Sequence, residues 1–63
     1  MKRMDHVNYP KQCRKKSDAE LHYIIKDAHE AAKAMPDNAN VGYYLDEINY
    51  CSQELARRVK NES

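Results

Sequence analysis

The sequence predicts a mostly α-helical fold: an antiparallel two-helix hairpin with a short N-terminal strand or extended arm, completed as a homodimer. Three observations carry this expectation. In the stretch VGYYLDEINYCSQELARRV, Val41, Tyr44, Leu45, Ile48, Cys51, Leu55 and Val59 fall within an arc of roughly 120° at helical spacing. Ahead of it, Leu21, Ile24, Ile25, Ala28, Ala31, Ala32 and Met35 form a second stripe, opened by SDAE and closed by Pro36. The chain is also only 63 residues long. A domain of this size buries only about 60% of its unfolded surface, and such chains usually add disulfides, a metal or oligomerisation.

Residues 1–16 read as a basic arm. Tyr9 precedes Pro10, and the residue before a proline avoids the helical region. Within MDHVNY, Asp5, Val7 and Tyr9 alternate with Met4, His6 and Asn8, which predicts a short strand over about 4–9 with Val7 and Tyr9 on one face. A single strand leaves its backbone groups unpaired in a monomer, so it pairs with a second subunit or a partner protein.

Residues 17–63 form the helical hairpin. Ser17 caps the first turn while Glu20 reaches back, the reciprocal arrangement of a capping box, and Asp18 and Glu20 complement the helix dipole. The first helix is expected over about 18–35, ending where Pro36 follows. PDNAN is a turn whose Asp37, Asn38 and Asn40 can each cap a helix start. The second helix is expected over about 38–60, weakened at Gly42 and closed by Arg57, Arg58 and Lys60, with Glu54 spaced to pair with Arg58. Folding back sets the small Ala28, Ala31 and Ala32 opposite Tyr44, Leu45 and Ile48, and brings Leu21 and Ile24 to Cys51, Leu55 and Val59. Two helices enclose no core, which is the reason to expect a homodimer sharing the stripes of two hairpins. Leu21, Ile24, Ile25, Tyr44, Leu45, Ile48, Leu55 and Val59 are its candidate contact residues, or the lining of a groove for an amphipathic helix of a partner.

Charge is unevenly placed. Lys2, Arg3, Lys11, Arg14, Lys15 and Lys16 in the arm face only Asp5, whereas the rest of the chain carries five Lys or Arg against nine Asp or Glu. This suggests a basic arm on a mildly acidic body. So small an excess favours a solvated arm, or one docked on the acidic body of its own dimer, over phosphate binding. The basic start lacks the apolar run of a signal peptide, and Cys13 and Cys51 lie in different segments, so a reducing cytosolic setting fits. No apolar run approaches the roughly 18 residues needed to cross a bilayer, which predicts a soluble chain with no membrane partner.

Candidate chemistry is sparse. His22 and His29 are seven apart, hence about 10 Å along a helix, too far to share a zinc ion, and compact cysteine spacings are missing. Cys13, in KQCRKK, has neighbours that favour a thiolate but no histidine or carboxylate placed to activate it, and reads as an exposed thiol. Cys51 reads as a small core residue. Asp46 with Glu47, and Asp27 with Glu30, read as solvated helix faces. One glycine provides no phosphate-cradling loop, so no cofactor and no enzymatic activity are expected. Tyr23, Tyr43 and Tyr50 each point away from the main stripe of their helix and offer a second contact face, serving as exposed rings, as dimer contacts or as a surface for another protein.

Two functional classes follow. Strand, helix, helix order with a basic arm that includes Lys11, Arg14, Lys15 and Lys16 is similar to the ribbon-helix-helix repressors, whose paired strands enter the major groove. That family passes almost directly from strand to helix, whereas here Lys11 to Lys16 intervene. The other class is a non-enzymatic protein that occupies a surface on another protein. The runs AELHYIIKDAHEAAK and GYYLDEINYCSQEL, within SDAELHYIIKDAHEAAKAMPDNANVGYYLDEINYCSQELARR, resemble the small early proteins of lambdoid temperate bacteriophages encoded between the exonuclease and excisionase genes. The resemblance covers about two-thirds of the chain and contains no catalytic signature. It implies an early-expressed dimer of two helices and one strand, located in the cytoplasm of the host bacterium, that favours lytic development. It names no functional residues. The expected partner is a host or phage protein, with nucleic acid as the less favoured alternative.

Overall fold

The capping box drawn from SDAE is formed. In the computed structural model, which describes residues 3–37 and 39–62, the Ser17 hydroxyl accepts from the Glu20 backbone N–H at 3.1 Å and the Ser17 N–H donates to the Glu20 carboxylate at 3.2 Å. Ser17 itself is extended, with φ −71° and ψ 163°. The helix it opens runs Asp18–Ala34 and is the second of three among the described residues: α1, Asn8–Arg14; α2, Asp18–Ala34; α3, Val41–Glu62. The fold is mostly α-helical. Met35 leaves the helical region, as a residue before proline should, while its N–H still donates to the Ala31 carbonyl at 3.2 Å.

α3 begins a little later than the spacing predicts. Asn40 stands just before its first residue, and the Asn40 carbonyl accepts from the Tyr44 N–H at 3.1 Å, the first bond of the helical ladder. The expected start and cap at Asn38 lie outside the described residues, as do Met1 and Lys2 of the basic arm.

The N-terminal arm departs from expectation. The predicted strand over 4–9 and the extended arm are replaced by a turn and a helix, and among the described residues no strand forms. Asp5 organises the entry: its carboxylate accepts from the N–H groups of Val7 (3.1 Å) and Asn8 (3.0 Å) and from the Asn8 side chain (2.7 Å), and its carbonyl accepts from the Tyr9 N–H (2.9 Å). Pro10 falls in the first turn, where a backbone N–H would have no intrahelical acceptor, so its missing donor costs nothing there. A helix of seven residues is not stable alone. α1 persists because Tyr9 and Cys13, four apart and therefore on one face, are both buried.

The core is small. Tyr9, Cys13, Leu21 and Cys51 form its buried cluster, with Met4, Ile24, Ile25, Tyr50 and Leu55 packed around it, and Ala28 is buried further along α2. α3 takes α2 along one side and α1 along another. This moves the centre of burial around α3. Cys51 is fully buried, as expected, but Leu45 and Val59, expected in the core, remain 54% and 68% exposed. The reason is that α1 covers the Glu47, Tyr50 and Glu54 side of α3, drawing the buried arc away from the Val41, Leu45 and Val59 edge.

Candidate functional site

The seam between α1 and α3 gathers most of the polar chemistry of the molecule. Tyr9 projects from α1 into the core, and its hydroxyl donates to the Glu47 carboxylate at 2.8 Å and lies 3.8 Å from the Cys51 sulfur. Burial and the neighbouring Glu47 push the Tyr9 phenol well above its ordinary range, so it stays a neutral donor. Tyr50 packs beside it with ring centroids 6.0 Å apart, and the Tyr50 hydroxyl lies 2.6 Å from Nδ1 of His6, a hydrogen bond whose donor is set by the imidazole tautomer.

One turn further along α1, Cys13 is buried at 1% exposure, with its sulfur 4.0 Å from that of Cys51. The reading of Cys13 as an exposed thiol is thus corrected. Its flanking basic residues are outweighed by burial and by the adjacent Cys51 sulfur, which push the Cys13 thiol up to about 11, the opposite of what a nucleophile needs. Both cysteines are free thiols.

Arg58 closes the end of the seam. Its Nε donates to the Glu54 carboxylate at 2.8 Å, its Nη1 pairs with Asp18 at the start of α2, and its Nη2 faces the carbonyls of Cys13 (3.1 Å), Arg14 (3.3 Å) and Lys16 (2.6 Å). With two hydrogens for three oxygens, Nη2 shares its bonds; it adds a donor to the Cys13 carbonyl, which already accepts from the Lys16 N–H at 3.2 Å, and to the carbonyls of Arg14 and Lys16. Glu54, buried at 6% exposure, is fully satisfied, since Arg57 adds two bonds of 3.2 and 2.8 Å. The hydrogen bonds from Arg57, with those of Arg58, hold the Glu54 carboxyl below the usual range despite its burial.

The remaining predicted contact residues are dispersed. Leu21 is fully buried and cannot line a groove, which corrects that reading; Ile24, Ile25 and Leu55 border the core, and Tyr44 and Ile48 are half-buried. The three tyrosines do not act together. Tyr50 belongs to the seam, Tyr43 meets Tyr44 edge-on with centroids 6.2 Å apart, and Tyr23 is 70% exposed on α2. Lys11, Arg14 and Lys15 are exposed and Lys16 half-buried, so the basic arm presents its charge outward while its apolar side docks. The Glu54–Arg58 pair expected from the spacing is formed; sequence reasoning missed the reach of Arg58 to α1 and α2 and the docking of His6 and Tyr9 on α3. The available signal was the four-residue spacing of Tyr9 and Cys13 behind a capping Asp5.

Two concavities lie on the surface, one on the seam and one on the first turns of α2. One, of about 200 Å³, is lined by Pro10, Arg14, Tyr50, Gln53, Glu54 and Arg57. The other, of about 380 Å³, lies over Lys16, Ala19, Glu20, Tyr23 and Ile24. Among the described residues, no three His, Cys, Asp or Glu side chains converge on one point, and no helix is long and apolar enough to cross a membrane. The arrangement joins three segments through buried, neutralised polar groups. In comparisons with known proteins, no family model, no curated protein and no solved structure matches this chain.

Proposed function

We propose that this chain is a non-enzymatic regulatory protein that works as a homodimer and binds a protein partner, of the kind its resemblance to temperate-phage early proteins implies. In that setting the dimer acts in the cytoplasm of the host bacterium and promotes lytic development. One observation supports the assembly above others. After α1 and α2 have docked on α3, the strip formed by Val41, Leu45, Ile48 and Val59 spans roughly 60° of the helix and stays open to solvent at Leu45 (54%) and Val59 (68%). Apolar side chains aligned on one edge of a helix gain from being covered, by about 1.5–3 kcal/mol for each fully buried side chain. In this reading α2 and α3 form an antiparallel hairpin, and a second copy lays its own α3 edge along this strip.

The ribbon-helix-helix reading required a strand at 4–9. With that segment formed as turn and helix, no particular observation favours it.

Sedimentation of the wild-type chain should give the mass of two copies, and Leu45→Glu with Val59→Glu should give a folded monomer, as judged by helical circular dichroism. A wild-type chain that sediments as a folded monomer at every accessible concentration overturns the dimer. Capture from a bacterial lysate with and without nuclease treatment then tests the partner: retention of a protein after nuclease supports the reading, and loss of all binding counts against it.

A further inference from the structure

Cys13 and Cys51 are the only cysteines of the chain. They are 38 residues apart, sit on different helices, and face each other across the centre of the core with their sulfurs in contact at 4.0 Å. Neither is reached by solvent while α1 is docked. We propose that this pair is an oxidation site, closing to a disulfide that locks α1 onto α3.

The geometry asks for little. A disulfide needs its sulfurs at about 2.05 Å, so from their present 4.0 Å each must travel roughly 1 Å. The Tyr9 hydroxyl stands at hydrogen-bonding distance from Cys51, and it can keep its bond to Glu47 when the sulfur moves. The route for an oxidant is also built in. α1 is one short helix held by Tyr9, Cys13 and the Arg58 clasp, so its release exposes Cys13 first. Once released, Cys13 leaves the burial that holds it as a thiol, while Arg14, Lys15 and Lys16 beside it favour the thiolate.

With a small-molecule disulfide such as oxidised glutathione, the steps balance. The Cys13 thiolate attacks one sulfur of the oxidant, forming a mixed disulfide and expelling one glutathione thiolate. As α1 redocks, the Cys51 thiolate attacks the Cys13 sulfur, forming the intramolecular bond and expelling the second glutathione. The two protons lost by the protein thiols end on the two glutathione thiols, and two electrons pass from the cysteine pair to the oxidant. The product holds α1 against α3 covalently, so the Glu47, Tyr50 and Glu54 side of α3 is sealed. In the reduced chain that face can open.

The test equilibrates the full chain with glutathione redox buffers, once in native buffer and once in denaturant, and reads the species by mass spectrometry and non-reducing peptide mapping. The expected native product is about 2 Da lighter than the reduced chain, monomeric in its covalent linkage, and joins the Cys13 and Cys51 peptides. Its effective thiol concentration should exceed that of the denatured chain by at least roughly 30-fold, the linkage counterpart of a disulfide that fits the fold. Hydrogen exchange of α1 amides should slow on oxidation. Glutathione adducts without a crosslink, a disulfide between two chains, or a native effective concentration no higher than the denatured one overturns the proposal. None of these readouts requires a cysteine variant to fold.

Discussion

Arg58 and Asp18 lie forty residues apart in the chain and meet as an ion pair at the corner where all three helices converge. The same guanidinium faces three carbonyls at the end of α1 and pairs with the buried Glu54. Its planar, forked donors reach acceptors on α1, α2 and α3 at once, a role that a lysine ammonium on a flexible stem cannot reproduce. Arg58→Ala and Arg58→Lys should therefore both lower the thermal midpoint, and by more than Arg57→Ala, whose guanidinium bonds to Glu54 on its own helix. Thermal melts of the three variants check the order. Arg58→Lys as stable as wild type would show that charge without the fork suffices.

Tyr9 anchors α1 in two separable ways. Tyr9→Phe keeps the ring and removes the 2.8 Å bond to Glu47, which should cost about 1 kcal/mol. Tyr9→Ala removes the buried ring as well, and the cost should rise to about 3–5 kcal/mol, the range for large aromatic truncations. Because α1 is too short to persist without its anchor, the Ala variant should also lose hydrogen-exchange protection over Asn8–Arg14 before the rest of the molecule does. Denaturant titrations and site-resolved exchange read the two effects.

The contrast between α1 and α2 shows what was legible. The start of α2 is specified within four residues, Ser17 to Glu20, and its end by Pro36, so local chemistry suffices and the sequence pattern found both ends within a residue. α1 has a weaker local statement, the Asp5 carboxylate on the Val7 and Asn8 N–H groups, set against a contrary one. Tyr9 before Pro10 argues for extended backbone, and only the burial of Tyr9 and Cys13 against a helix forty residues away reverses that preference. The stripe on α3 is legible at Cys51 and misplaced at Leu45 and Val59 for the same reason: an extended arm would leave the Glu47 and Tyr50 side of α3 open, whereas α1 covers it. The Glu54–Arg58 pair is legible as a spacing on one helix, whereas the paired cysteines and the reach of Arg58 to α1 and α2 are not, because each is assembled from segments whose nearness is a tertiary fact.

Gly42 weakens α3 without a compensating use. Its φ is not positive, and a methyl group built on it meets nothing within 4 Å. Gly42→Ala should raise stability by about 0.5–1 kcal/mol through helix propensity and a less flexible unfolded chain. Equilibrium unfolding in urea measures it. A loss of stability instead would mean that a second copy of the chain, or another partner, packs closely against this position.

Stability should fall on both sides of neutrality, for opposite reasons. On the acid side, Glu54 is held below its ordinary 4.5 by Arg57 first and then Arg58, Glu20 below 4.5 by the Ser17 backbone, and Asp5 below 3.8 by the Asn8 backbone. A carboxylate with a lowered folded value binds fewer protons folded than unfolded. Its contribution is complete above the ordinary value and is lost as pH falls through the folded one. On the alkaline side, Cys13 is raised from 9.0 to about 11, chiefly by burial. That contribution is complete below pH 9 and disappears as pH climbs through 11. Urea midpoints measured across pH should thus form a plateau bounded by the two declines. Glu54→Gln should flatten the acid limb while lowering the plateau, because a neutral amide keeps the shape but not the charge-assisted bonds to two arginines. The alkaline decline should be smaller once the Cys13–Cys51 bond has formed, because the oxidised chain has no Cys13 thiol left to ionise, and urea midpoints of the reduced and oxidised chains compare the two.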